Sequence, residues 1–472
     1  MNKMKITNKY LELDPVFYHL VKPTPLEDPY LVNFNNDAAK LVGIISDKGL
    51  EKFLNGEDLY DDMQPYAMCY AGHQFGYYTP RLGDGRAINL GSVNGWNMQL
   101  KGAGKTRYSR EGDGRAVLRS SIREYLVSEA MYGLGIPTTR AVAIIGSNEQ
   151  VKRERLEPGS IVLRTSPSWI RFGSFEYFYY RRKHKELEAL AEFTISETFE
   201  HLKDDPKRYL KMFEEIVVDT ARLIASWQAV GFNHGVMNTD NMSIASLTID
   251  YGPYAFLDDY NPDYICNHTD VEERYSFGNQ PYIAEWNLSM LMQALSPIAD
   301  SDKMAKILFQ YRKAYKQYYI ELMRKKLGLL NEDDEDAELI KSLLKIMREQ
   351  PIDYTYFFRI LSDYPKSKRD ILDHVIMKRP FEEWFEQYDL RLENEILSLQ
   401  QRTIKMKKIN PKFVLKNYML QEAIEHAHNK DFSLVDDLLA IAHNPFDEHV
   451  KYEHYAKPTP LKYKNLQLGC SS

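Results

Sequence analysis

The sequence predicts an α+β fold in which a small antiparallel sheet with one main helix is followed by a larger helical part. Three observations carry this reading. Glycine is concentrated between residues 72 and 115, in GHQFGYY, RLGDGR, NLGS and KGAGKTRYSREGDGR, where a backbone turns sharply or comes close to something. The stretches between, RAINLG and WNMQLKG, alternate apolar with polar residues, the period of half-exposed strands. Beyond about residue 175 the apolar spacing becomes helical.

The elements follow in order. After a first segment of 1–60, taken as an N-terminal extension, residues 61–165 form the sheet-rich part. Within it, Leu118, Ile122 and Leu126 recur at helical spacing between Arg115 and Leu134, and Gly133 and Gly135 close the run, so an amphipathic helix is expected there. RAVAIIGSN and SIVLRTS return to strand character before Pro167. Residues 166–330 form the main helical part, with Ile216, Thr220, Leu223, Trp227 and Val230 marking a stripe that Gly231 ends. SIASLTIDYG reads as a strand and a turn. NEDDEDAE, at 331–338, reads as a solvated loop or helix start, and 331–472 as a helical extension ending in the extended tail AKPTPLKYKNLQLGCSS.

Composition narrows the function. With 44% hydrophobic and 27% charged residues in 472, the chain can bury a large core and stay soluble. A net charge of −6 gives no general attraction to nucleic acid or anionic lipid, so an anionic ligand needs a local site. No apolar run approaches the roughly 20 residues of a membrane span, and the N-terminus has no apolar signal core, so a cytoplasmic protein is expected. Three cysteines, Cys69, Cys266 and Cys470, are too few for a disulfide framework.

Gly-Asp-Gly-Arg occurs twice, at 83–86 and 112–115. Either copy alone reads as a tight turn with an exposed Arg. The pair, placed around one sheet and helix, points to phosphate binding, because glycine lets amide N–H groups face an anion and Arg grips phosphate with two donors. Lys101 ends a strand and Glu124 lies in the next helix on a line with Val117 and Met131; a strand Lys paired to a helix Glu is how protein kinases hold nucleotide phosphates. Downstream, Asp240, Asn241 and Asp250 offer hard oxygens suited to Mg²⁺ or Mn²⁺, with Asp240 able to take a proton from a nucleophile. Arg164 and Arg171 could meet a triphosphate, or could pack their stems on Trp169 and Phe172. His73 and His234 read as hydrogen-bonded structural residues, and the remaining histidines have no zinc spacing.

YAGHQFG, LGDGRA, QLKGAG, GDGRAVLRSSIREYL, GIPTTRA, HGVMNTDNMS, DYGPYAFLDDY, YSFGNQP and the terminal CSS resemble the selenoprotein O family, which includes the bacterial YdiU-type proteins, from about residue 60 to the end. The resemblance implies a protein-kinase-like bilobal fold that binds ATP inverted and transfers AMP to Ser, Thr or Tyr hydroxyls of proteins, itself included, with Mg²⁺ or Mn²⁺; uridylylation from UTP with Mn²⁺ is implied for bacterial members. Carried over, Gly83, Gly85, Arg86, Lys101, Asp113 and Gly114 contact nucleotide, and Glu124 pairs with Lys101. Arg164 and Arg171 hold the outer phosphates, Asp240 accepts the proton, Asn241 binds metal, and Asp250 binds metal and nucleotide. The family's redox switch maps onto Cys266 and Cys470. A monomer acting on proteins, without nucleic acid or membrane, is expected; the rival readings are a conventional protein kinase and a silent nucleotide-binding pseudokinase.

Overall fold

The computed structural model describes residues 5–464, 466, 468 and 469. Its strands are β1 (Tyr18–Leu20), β2 (Pro29–Phe34), β3 (Tyr66–Met68), β4 (Gly72–Gln74), β5 (Tyr77–Thr79), β6 (Ala87–Val93), β7 (Trp96–Lys101), β8 (Ala116–Val117), β9 (Arg140–Lys152) and β10 (Leu156–Ser166). The main sheet runs β1-β3-β6-β7-β10-β9-β2, with β8 also on β10, and its pairs are antiparallel. The expected strands RAINLG, WNMQLKG, RAVAIIGSN and SIVLRTS are β6, β7, β9 and β10. The first sixty residues supply both edges of this sheet, β1 and β2. β4 and β5 form a separate hairpin.

The main helix is Leu118–Gly133, three residues later than its sequence pattern places its start. Ala116 and Val117 pair instead with Ser160 and Gly159 of β10, so the chain leaves the sheet directly into the helix. Leu118, Ile122, Leu126 and Met131 are buried, and this face packs against the sheet. Helix Arg208–Val230 buries Ile216, Leu223 and Trp227, and Gly231 ends it in the left-handed region with φ 77°. Its N–H there returns to Gln228 and Trp227 carbonyls, a conformation that costs glycine least. Further helices, among them Gln280–Leu295 and Gln310–Lys326, continue to Ser433–His443. None is long and apolar enough to cross a membrane.

Two expectations need correction. SIASLTID does not form a strand: Ile244 donates to Ile170, Thr248 donates to Pro137, and Ser246 turns with φ 50°, so the segment's bonds go to different elements and no ladder forms. NEDDEDAE does start a helix, Asp336–Glu349, but Asp336 is not solvated: it is buried, accepting from Arg391 Nε at 2.7 Å and lying 3.3 Å from Arg324 Nε.

Glu197, in helix His184–Thr198, has one carboxylate oxygen on Asn97 Nδ2 of β7 at 3.0 Å and the other buried. Burial pushes its carboxyl up to about 7, against weaker help from Ser168 and Asn97. A carboxyl that holds its proton more tightly when folded contributes stability below the unfolded value, and that stability is lost as pH rises through 7. Glu197→Gln is expected to match wild type near pH 4 and to become the more stable protein by pH 8, by up to about 3 kcal/mol. Denaturant unfolding across that range measures it.

Candidate active site

At the end of β7, Lys101 Nζ lies 2.5 Å from Glu124 Oε2 of the main helix and 3.5 Å from Asp250 Oδ1. Arg164, on β10 opposite Gln99, donates Nη1 to Glu124 Oε1 and to Asp250 Oδ1, both at 2.7 Å. Arg171 donates Nη1 to Asp250 Oδ2 and, at 2.7 Å, to the Asp240 carbonyl. Lys101, Glu124, Arg164 and Arg171 are all buried. Three cations thus share two carboxylates by direct contact, and Asp84 and Asp240 act on Arg171 from farther off. Burial lowers the Lys101 ammonium, opposed first by Glu124. For Asp250 burial acts upward, but Arg171, Arg164 and Lys101 together hold its carboxyl well below the usual range.

Lys101, Arg164, Arg171 and Asp250 line a cavity of about 720 Å³ together with Gly83, Gly85, Arg86, Asp113, Gly114, Asp240 and Asn241, a volume suited to a nucleotide-sized ligand. All the expected nucleotide and metal residues therefore meet on one cleft, Glu124 reaching it through Lys101 and Arg164. The two Gly-Asp-Gly-Arg turns are not equivalent. In the first, Asp84 is buried and accepts from Met68 N and Asn89 Nδ2, each at 2.9 Å, which fixes the turn while Arg86 faces the cleft. In the second, Asp113 is exposed and bound to Arg153 at 2.6 Å, an interaction that lowers its carboxyl. Arg115 is tied to Glu149 at 3.0 Å and to the Pro25 carbonyl at 2.9 Å, which corrects the reading of both arginines as phosphate forks. Gly114 sits at φ 74°, where a Cβ would fall 2.2 Å from the Gly104 carbonyl.

Sequence reasoning missed the polar residues behind this cleft. Gln99 accepts from Arg164 Nε at 3.0 Å and Nη2 at 2.6 Å and donates to Asn89 Oδ1 at 3.1 Å, so a hydrogen-bond chain joins Asp84 to Arg164. The signal was the period of two, which puts Gln99 and Lys101 on one face of β7. Tyr70 lies under the Arg171 guanidinium, 4.6 Å from its ring centre, and Trp169 under that of Arg164 at 4.5 Å.

Asp240 sits in a short turn, Thr239–Asn241, with Oδ2 accepting from Gln74 Nε2 at 3.1 Å and Oδ1 buried without a hydrogen-bond partner among the described residues. Burial pushes its carboxyl up to about 7, with Arg171 and the Gln74 bond opposing. Asn241 commits Nδ2 to the Val236 carbonyl at 3.0 Å, which leaves its Oδ1 as the acceptor. Among the described residues no group of three or more His, Cys, Asp or Glu forms a metal cluster. His73 pairs with Glu176 at 3.0 Å, and His234 Nε2 lies 3.0 Å from the Ile249 carbonyl, stacked on Trp227. Cys266 is buried. Leu468 forms a parallel bridge beside it, donating its N–H to the Cys266 carbonyl and accepting from His268; Cys470 lies outside the described residues.

The model of the family described as Protein adenylyltransferase SelO matches residues 1–443. The chain is 45% identical to a protein named Protein nucleotidyltransferase YdiU from Myxococcus xanthus (strain DK1622), over all of this chain and 99% of that one. It is 44% identical to a protein of the same name from Aliivibrio salmonicida (strain LFI1238) and 45% to one from Pseudomonas fluorescens (strain SBW25), with the same coverage.

Replacing Asp250 by Asn leaves buried Arg164 with Glu124 as its paired carboxylate and buried Arg171 with no ion-paired carboxylate among the described residues. Asp250→Asn is expected to lower the unfolding free energy by about 3 kcal/mol without ligand. Millimolar pyrophosphate should recover part of the loss in a thermal melt.

Proposed function

The chain belongs to the protein adenylyltransferase SelO family, and we propose that it transfers AMP from ATP to Ser, Thr or Tyr hydroxyls of proteins. It is a protein nucleotidyltransferase. The observation that carries the finer reading is the cluster of three buried cations, Lys101, Arg164 and Arg171, on the wall of the cleft. In the proposed orientation the triphosphate tail lies along these cations and Pα faces the acceptor hydroxyl at Asp240. The reading gives the chain a protein-kinase-like arrangement, with 61–165 as the nucleotide-binding lobe and 166–330 as the lobe bearing Asp240, Asn241 and Asp250.

The acceptor oxygen bonds to Pα as the bond from Pα to the bridging oxygen of the β-phosphate breaks. Pyrophosphate departs with its negative charge beside Arg164 and Arg171, and the hydroxyl proton passes to the Asp240 carboxylate. A carboxyl near neutrality both accepts and returns a proton at cellular pH. Gly83, Gly85 and Arg86 on one side and Asp113 and Gly114 on the other hold the nucleotide, and Glu124 keeps Lys101 on the phosphates.

Asn241 Oδ1, left as the acceptor by the bond of its Nδ2, and the Asp250 carboxylate are hard donors, so the residues present fit Mg²⁺ or Mn²⁺ with phosphate and water completing the shell. When bound, such an ion neutralises phosphate charge and helps fix the tail. UTP with Mn²⁺ fits the same groups, since none of those named reads the base. Leu468 beside Cys266 brings the tail to within two residues of Cys470, which supports a redox tether between Cys266 and Cys470 that alters activity.

Incubation with a protein extract and Mn²⁺ should label acceptors from α-labelled ATP and not from γ-labelled ATP. Asp240→Ala should lower labelling at least about 100-fold while ATP still raises the melting temperature. Label arriving from the γ position would make the protein a conventional kinase.

A further inference from the structure

Strand β4 passes directly over Asp240. Successive residues of a strand face opposite sides, so Gly72 and Gln74 share one face and His73 takes the other. His73 turns to Glu176 and Trp286. Gln74 donates Nε2 to Asp240 Oδ2 at 3.1 Å. Gly72 packs against the opposite oxygen so closely that a Cβ there would fall 2.7 Å from Oδ1 and 2.9 Å from the Asp240 Cβ. One carboxylate oxygen is therefore held by a donor and the other by bare backbone.

The strand itself is anchored to the turn that carries Asp240. His73 N donates to Thr239 Oγ1 at 2.7 Å, and Phe75 N donates to Asn238 Oδ1 at 3.2 Å and to Tyr275 Oη at 3.0 Å. Just before it, Ala71 N donates to the Gly173 carbonyl at 3.1 Å. These bonds use the residues on either side of Gln74 and leave its side chain for Asp240 alone among the described hydrogen bonds.

We propose that Gln74 and Gly72 are positioning residues for the transfer reaction, together fixing the plane of the Asp240 carboxylate toward the incoming hydroxyl. The terminal torsion of an Asp side chain is broad and intrinsically weakly restrained, so an unsupported carboxylate would sample orientations that miss the acceptor. Gln74 supplies the restraining donor. Gly72 supplies the close approach that any larger residue would deny. The inference rests on Asp240 being the proton acceptor of the proposed adenylyl transfer.

The test compares wild type, Gln74→Met and Gly72→Ala for transfer from α-labelled ATP to a fixed protein acceptor, with melting temperatures measured alongside. Gln74→Met keeps the length of the side chain and removes its donor. A fall in kcat of about 10-fold or more is expected for each variant, with the KM for ATP and the ATP-induced rise in melting temperature within about twofold of wild type. Wild-type kcat in both variants would overturn the positioning role. So would a parallel loss of kcat, ATP affinity and melting temperature, which would make β4 a general brace. If wild type itself transfers no α-label, the underlying function fails and this inference falls with it, an outcome distinguishable from either of the others.

Discussion

The cleft is organised by one electrostatic constraint: Lys101, Arg164 and Arg171 are buried together and share the carboxylates of Glu124 and Asp250. Burying a charge is costly unless it is paired and hydrogen-bonded, so each of the three is held by a separate element. Lys101 comes from β7, Arg164 from β10, Glu124 from the main helix, and Arg171 and Asp250 from the segments beyond the sheet. The strand register brings Arg164 opposite Gln99, whose carbonyl oxygen accepts from two guanidinium nitrogens. The sheet, its helix and the helical part are thereby tied to one cluster, whose three cations line the cleft. Protein stability and ligand preference arise here from the same five side chains.

The second half of the site obeys a different rule. Asp240 is buried close to Arg171, yet that guanidinium spends its bonds on the Asp240 carbonyl and on Asp250, not on the Asp240 carboxylate. Desolvation therefore dominates at Asp240 and ion pairing at Asp250, and the two carboxyls are driven in opposite directions a short distance apart. A carboxylate that stays ionised beside buried cations and a second that exchanges a proton near neutrality fill the two roles that the proposed attack of a hydroxyl on a phosphoanhydride would use.

Much of this was legible from residues whose type and spacing carry a period. Lys101 at the end of an alternating strand, Glu124 on one helical face with Met131, and Gly231 after an apolar stripe each express local rules, and the structure places them accordingly, while Val117, read on the same helical line, belongs instead to β8. Gln74, Gln99 and Asn89 were not legible, because an amide side chain in a strand has no preferred partner until the tertiary fold supplies one. Arg115 failed for the converse reason. Its local motif is identical to that of Arg86, but Glu149 and the Thr24 and Pro25 carbonyls, distant in sequence, capture its guanidinium. The missing strand at SIASLTID has the same origin: its alternation is real, while the backbone partners that would complete a ladder are shared out between Pro137 and Ile170.

The repeated tetrapeptide shows how one local sequence can be given two tasks. Both copies turn the chain tightly, and in both the glycines come close to other backbone. Gly85 meets the Tyr108 carbonyl and Gly114 meets Gly104, so the two turns are packed into one layered loop over the cleft, cross-linked by Thr106 on the Asp84 carbonyl at 2.7 Å. What separates them is the environment of the aspartate. Asp84, buried, satisfies itself on Met68 and Asn89 and makes the first turn rigid; Asp113, exposed, is held by both guanidinium nitrogens of Arg153 on the β9–β10 hairpin and by the Arg115 N–H. The inner turn bearing Arg86 is thus held by buried hydrogen bonds, while the outer turn is tied at the surface through Asp113 to Arg153 and through Arg115 to Glu149.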